Sequence, residues 1–176
     1  MTTGVRGVGV DIVDLDAFAA SLAEPGTRLT RAFSATERRQ CRERAESRGA
    51  RPGEATVSSS SGASGASAPG TSGPAPARRE DPLARHLAAR WAAKEAVVKA
   101  WSAALYGEPP PIAPDLLRWS EIETVCDNWG RPSVRLGGEV ARQVAATIGE
   151  GARWNVSLSH DGGSAIAFVV LEGPGG

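Results

Sequence analysis

The chain has 176 residues, 41% apolar and 23% charged, with twenty basic side chains balanced by twenty acidic ones. That is the size and composition of one soluble globular domain, and zero net charge excludes the electrostatic footprint of a nucleic-acid or anionic-membrane binder. Two cysteines, Cys41 and Cys126, are too few for a disulfide framework and stand apart from the histidines that a zinc site would need. A reduced, cytoplasmic protein follows. No stretch approaches the roughly 18 apolar residues of a membrane span, so no membrane association is expected.

In chain order, Val8, Val10 and Ile12 alternate with Gly7, Gly9 and Asp11 in a period-two strand, which puts Asp11 on one face with two glycines, opposite the aliphatic side chains. Leu15, Phe18, Ala19 and Leu22 follow at helical spacing, and Ser34 with Glu37 forms a capping box ahead of a polar helix containing Cys41. From Gly49 to Ala77, Gly, Ala, Ser and Pro fill 24 of 29 positions. Such a tract cannot bury enough apolar surface to offset its ordering entropy, and it reads as a disordered insertion at about 49–77 within a single domain spanning 1–176.

A long helix runs from Leu83 to about Leu105, with Leu87, Trp91, Val98, Trp101 and Leu105 on one apolar arc. Ile122, Thr124 and Cys126, then the turn Asn128 to Pro132, then Val134 and Leu136 make a hairpin. A short helix presents Val140, Val144 and Ile148. Trp154, Val156 and Leu158 alternate into Ser159-His160-Asp161-Gly162-Gly163, and an apolar strand, Ala165 to Leu171, closes the chain. The order β-α-α-loop-α-β-β-α-β-β predicts an α+β fold with a mostly antiparallel sheet.

No glycine-rich phosphate loop, nucleophile elbow or zinc-ligand pattern is present. Three polar spots interrupt apolar elements. Asp11 ends a Gly-Val-Gly-Val strand, where it serves either as a ligand or as a cap for the next helix. Glu95 and Lys99 stand one helical turn apart on a strip shared with Ala84, Ala88 and Ala92, whose small side chains leave room for a ligand or another backbone; alone, they are also an ordinary i,i+4 pair. His160 precedes a good turn signal and could simply be hydrogen-bonded in the hairpin. Taken together, a strand carboxylate and a helix carboxylate form a hard-oxygen pair suited to Mg²⁺ with substrate phosphates.

Three segments then match a family in order: Gly9-Val10-Asp11-Ile12-Val13-Asp14, Arg90-Trp91-Ala92-Ala93-Lys94-Glu95-Ala96 with Lys99, and Ser157-Leu158-Ser159-His160. In these the chain resembles the holo-[acyl-carrier-protein] synthases, the short class of 4′-phosphopantetheinyl transferases. The resemblance implies a mostly antiparallel sheet packed against a long central helix, in a single half-unit that self-associates as a homotrimer. It also implies transfer of 4′-phosphopantetheine from coenzyme A to a serine of an apo acyl carrier protein, releasing 3′,5′-ADP.

Position by position, the resemblance makes Asp11 and Glu95 the Mg²⁺ ligands and Lys99 the group that stabilises or protonates the leaving phosphate. His160 belongs to the coenzyme A pocket, with Arg90 as a further phosphate contact. Glu95, acting through a metal-bound water, is the first choice of base, and Asp161 the second. The basic residues usual in the family's first helix are absent here. Arg28 and Arg31 just beyond it replace them for carrier docking, with Arg38 and Arg39 as further candidates. Ser102 to Leu105 and Pro109 to Pro111 stand where the family has a glycine-rich turn. The competing readings are a catalytically silent carrier-protein-binding module of the same fold and an unrelated Mg²⁺-dependent nucleotide enzyme. Which carrier is served, fatty-acid or polyketide, is not written in the sequence, nor is tolerance for acylated coenzyme A.

Overall fold

In the computed structural model, which describes residues 4–49 and 81–174, every predicted element is present. The order is β1 (Val5–Asp14), α1 (Leu15–Ala23), α2 (Ala35–Gly49), α3 (Pro82–Ala104), β2 (Ile122–Cys126), β3 (Pro132–Leu136), α4 (Gly138–Thr147), β4 (Arg153–Asp161) and β5 (Ser164–Glu172). Short 3₁₀ turns at Leu29–Ala32 and Trp119–Glu121 are additional. The insertion read at about 49–77 lies outside the described residues, except for Gly49 at the end of α2.

The strands form an antiparallel three-stranded sheet, β1-β5-β4, and a separate β2-β3 hairpin. The β4-β5 turn is Gly162-Gly163, with φ of 54° and 82°; two consecutive positive-φ residues give the hairpin turn that matches strand twist. The face of the sheet turned to α3 carries Ala165, Ala167, Val169 and Leu171 of β5, all fully buried. Its other face carries Val8, Val10, Ile12, Ile166 and Phe168, all exposed. The aliphatic face of β1 thus points outward, and the glycine face inward.

Close approach of a helix is the reason. A β-carbon built on Gly9 would sit 2.0 Å from the Ala96 carbonyl oxygen, and one on Gly7 2.0 Å from that of Ala100. The α3 backbone therefore rests directly on the β1 backbone, a contact only glycine and alanine permit. The room left by the alanine strip is filled by another backbone. Gly9→Ala should cost on the order of 3 kcal/mol, because helix and strand must separate. Gly4→Ala, with open space around it, should be neutral. Denaturant midpoints of the two variants check this, and equal midpoints would contradict it.

α3 begins with Asp81 as its cap, Oδ1 accepting from Leu83 N at 2.9 Å, and Pro82 in its first turn. It is a central helix rather than an amphipathic surface one. Leu87 and Trp101 of the expected arc are buried, but Trp91, Val98 and Leu105 are only partly so. The fully buried positions are instead Ala88, Ala92, Ala93, Ala96 and Ala100, with Lys94 and Val97. The N-terminal half, at Leu87 to Ala89, packs with Leu15, Phe18, Phe33 and Cys41. Its C-terminal half packs with Ile122, Val140, Val144, Ile148, Val169 and Leu171. Each large aliphatic buried this way contributes about 1.5–3 kcal/mol.

The capping box at α2 is formed, with Glu37 N donating to Ser34 Oγ at 3.1 Å and Ser34 N to Glu37 Oε2 at 2.9 Å. Glu37 is also completely buried. Its Oε2 pairs with Lys94 Nζ at 2.8 Å and its Oε1 accepts from Thr124 N at 2.9 Å. Lys94, equally buried, donates further to the Trp119 carbonyl at 3.0 Å and to the Ile122 carbonyl. One ion pair thus ties α2, α3 and the start of β2. Gln40 continues the seam, its side-chain amide bonding both N and O of Cys126.

Candidate active site

The β1-α3 contact brings Asp11, Glu95 and Lys99 together. Asp11 follows Gly9 on the inward face and is 8% exposed. Lys99 Nζ donates to Asp11 Oδ1 at 2.7 Å and to the Val10 carbonyl at 3.1 Å. Glu95, one turn earlier on α3, is half-buried. Its carboxyl is pushed above the usual range by burial, then by the Asp11 charge and by its approach to Asp11 within hydrogen-bonding reach, against the pull of Lys99. With both carboxylates ionised neither has a proton to give, and Asp11 Oδ2 is left buried without a partner among the described residues.

Two crowded carboxylates with an unsatisfied oxygen suit a hard divalent cation, which relieves the repulsion between them. Among the described residues no three His, Cys, Asp or Glu side chains are grouped so that they could together hold a metal ion. A Mg²⁺ bound here would take only a minority of its ligands from protein oxygens and the rest from phosphate and water. Lys99 is raised above its ordinary value by its hydrogen bond to Asp11, against desolvation, with the Asp11 and Glu95 charges adding to the rise. It stays an ammonium at neutral pH, which suits it to balancing charge and not to acting as a base.

His160 and Arg90 belong to a second cluster. A cavity of about 310 Å³ is lined by Arg44 of α2, His86 and Arg90 of α3, Cys126 of β2 and His160 of β4. Arg90 is 2% exposed, with Nη1 donating to the His86 carbonyl at 3.3 Å and Nη2 to Cys126 Sγ at 3.7 Å. The rings of His86 and His160 meet edge to face, 6.4 Å between centroids. Asp11 pairs with Ala167 of β5, while His160 pairs with Ala165 from the opposite side. Two strand spacings and one two-residue step put their α-carbons on the order of 12 Å apart. Within one chain, then, His160 and Arg90 do not join Asp11 and Glu95, and Asp161 is exposed at the hairpin end.

Arg28 and Arg31 are exposed between α1 and α2. Arg38 is committed internally, donating to the Thr30 and Phe33 carbonyls at 3.2 and 2.7 Å, and Arg39 pairs with Glu43 at 3.7 Å. The proline stretch after α3 walls an apolar cavity of about 270 Å³ with Val98, Trp101, Leu105 and Ile112, at the C-terminal end of that helix. Sequence reasoning missed Arg44, His86 and Cys126 as neighbours of His160. The clue available was chemical, since a buried-helix arginine such as Arg90 needs polar company.

The chain belongs to the 4′-phosphopantetheinyl transferase superfamily, whose sequence profile matches residues 66–169. Within it the chain sides with the holo-[acyl-carrier-protein] synthases. That of Corynebacterium glutamicum is 39% identical over 164 residues, covering 93% of this chain and 96% of the relative. That of Mycobacterium tuberculosis is 37% identical over 172 residues, covering 97% and 99%. Among solved structures, an ACPS-CoA complex of Chronobacterium ammoniagenes superposes with a TM-score of 0.71 at 36% identity, covering 95% of this chain and 96% of the other. No described helix is long and apolar enough to cross a membrane.

Proposed function

We propose that the protein transfers 4′-phosphopantetheine from coenzyme A to the serine hydroxyl of an apo acyl carrier protein, with Mg²⁺ held by Asp11 and Glu95, leaving 3′,5′-ADP. The observation that carries this is the convergence of those two carboxylates beside a charged Lys99, in a chain whose relatives are holo-[acyl-carrier-protein] synthases. A cation shared between the carboxylates and the diphosphate would neutralise charge on the leaving group. Glu95 is placed to take the serine proton, through an intervening water, as Oγ attacks the phosphorus that bears pantetheine. The bond from that phosphorus to the 3′,5′-ADP oxygen breaks, and Lys99 balances the negative charge left there. The apolar cavity at the C-terminal end of α3 suits the pantetheine arm, and the Arg44-Arg90-His160 cavity suits the phosphate-bearing nucleotide end. Asp161 remains a second candidate base if a neighbouring copy supplies it.

The test is incubation with coenzyme A, Mg²⁺ and an apo carrier protein. A mass gain on the carrier's serine is expected. Binding without a mass gain would reject transfer and favour the silent carrier-binding module.

The working unit we propose is a homotrimer in the cytoplasm, each chain one domain with the tract at 49–77 as an insertion in it. The outward face of Val8, Val10, Ile12, Ile166 and Phe168 is an apolar patch of the kind that marks an interface. Packing copies there would let one chain's His160 cavity serve the next chain's Asp11 and Glu95. Phe168→Lys should yield monomers by light scattering; trimers that persist would contradict this. For the carrier, Arg28→Glu with Arg31→Glu should raise its KM by about tenfold or more and leave kcat within about twofold, because exposed charges steer an acidic partner without touching the chemistry. Steady-state kinetics with the carrier varied decides it, and an unchanged KM would move docking elsewhere.

A further inference from the structure

The Arg44-Arg90-His160 cavity has one wall for which the transfer reaction has no use, the Cys126 thiol. Its sulfur is held in place, since the Gln40 amide fixes both the N and the O of Cys126 and Arg90 Nη2 stands 3.7 Å from Sγ. Arg90 is almost wholly buried, and its Nε has no hydrogen-bond partner among the described residues. Nε is closed off from the cavity, but no carboxylate among the described residues pairs with this buried guanidinium, and a buried cation without a counter-charge is costly unless an anion completes it. Across the cavity, a β-carbon on Gly130 would lie 3.2 Å from Arg44 Nη2, so that guanidinium lies over the β2-β3 turn. A partly exposed thiol thus stands against the Arg90 guanidinium, with Arg44 lining the same cavity, in a space sized for a small molecule. The other cysteine does not compete, being fully buried, with a pKa pushed up to about 11 chiefly by desolvation.

We infer that Cys126 is a redox-sensitive modification site, which a small anionic disulfide converts to a mixed disulfide that closes this cavity to coenzyme A. The inference rests on the reading of the cavity as the nucleotide subsite. The Cys126 thiolate attacks one sulfur of the disulfide, a Cys126–S–S–R bond forms, the reagent's own S–S bond breaks, and the second half leaves as a thiol carrying the proton. The disulfide is the oxidant, and carboxylates on it are what Arg44 and Arg90 attract. The adduct sits over Arg90 and His160 and leaves Asp11, Glu95 and Lys99 untouched, so it blocks binding rather than chemistry.

The test uses glutathione disulfide as the reagent and 3′,5′-ADP as the ligand, because 3′,5′-ADP has no thiol to reverse the modification. Intact-mass and peptide analysis of the folded protein should show one glutathionyl group, on Cys126 and not Cys41. Calorimetry should show 3′,5′-ADP affinity falling at least tenfold, restored by dithiothreitol, and excess 3′,5′-ADP should slow the modification. Cys126→Ser should take no adduct and keep its affinity through the treatment. An adduct on Cys126 with unchanged affinity overturns the inference alone, as does prior reaction of Cys41 or equal loss in Cys126→Ser. Untreated, reduced protein that does not bind 3′,5′-ADP overturns the subsite reading and the inference with it.

Discussion

Glu95→Gln and Asp11→Asn should each lower turnover at ordinary Mg²⁺ by at least about 100-fold. Each change keeps the shape of the side chain and removes one formal charge from a pair that a hard cation would bridge. The loss should be of function and not of fold. Glu95 is half-buried and makes no cross-element tie of the kind Glu37 makes, and its carboxyl is already held toward the neutral form by burial and by Asp11. Glu95→Gln therefore relieves a repulsion, and its melting temperature should be equal to or above that of the parent. Asp11→Asn gives up the ion pair with Lys99, whose side chain is 54% exposed, so its cost in stability is small. Steady-state kinetics and thermal melts on the same preparations check both halves. Turnover within a few-fold of the parent would remove these two residues from the site.

The largest stability effect should fall on the neighbouring lysine. Lys94 and Glu37 have no exposed surface, and burial already pulls Lys94 below its ordinary value while Glu37 opposes that pull. Lys94→Met would leave Glu37 buried with its charge uncompensated and the Trp119 and Ile122 carbonyls without their donor. Removing one partner of a buried pair costs about 3–5 kcal/mol, which for a domain of this size is roughly 10–20 °C in melting temperature. Replacing both residues with apolar ones, Lys94→Met with Glu37→Leu, should recover part of that loss, because the unpaired charge is gone even though the Thr124 and Ser34 amides lose an acceptor. Thermal melts of both variants decide it. A single variant melting within about 3 °C of the parent would mean the pair is not what joins α2, α3 and β2.

These two adjacent residues show what the sequence could and could not convey. Glu95 was legible because its chemistry is local to the helix, a carboxylate one turn before a lysine on an alanine strip. Lys94 was not, since its partner is 57 residues away and nothing in the Lys94-Glu95 dipeptide says which charge turns inward. Element order, the Ser34-Glu37 box and the double-glycine turn were readable because each is settled by a few neighbouring residues. The period-two pattern in β1 showed that its faces differ, but which one meets the core depends on a helix more than eighty residues later. That helix presses on the glycines and leaves the valines outside. The arc on α3 failed in part for the same reason, because a helix covered on several sides has no single apolar stripe. His160 stands out in the sequence as a polar residue ending an alternating apolar strand, before the double-glycine turn. Its neighbours Arg44, His86 and Cys126 come from three separate elements, so only the folded chain reveals the cavity they share.

The most direct measurement is cation uptake, independent of turnover. Titrating Mn²⁺ into the protein with coenzyme A present, followed by electron paramagnetic resonance, should show one bound ion per chain, with Asp11→Asn and Glu95→Gln each weakening it at least tenfold. Uptake that both variants retain at the parent's affinity, or none by the parent with coenzyme A bound, would contradict the claim that these two side chains share a cation with the substrate's diphosphate.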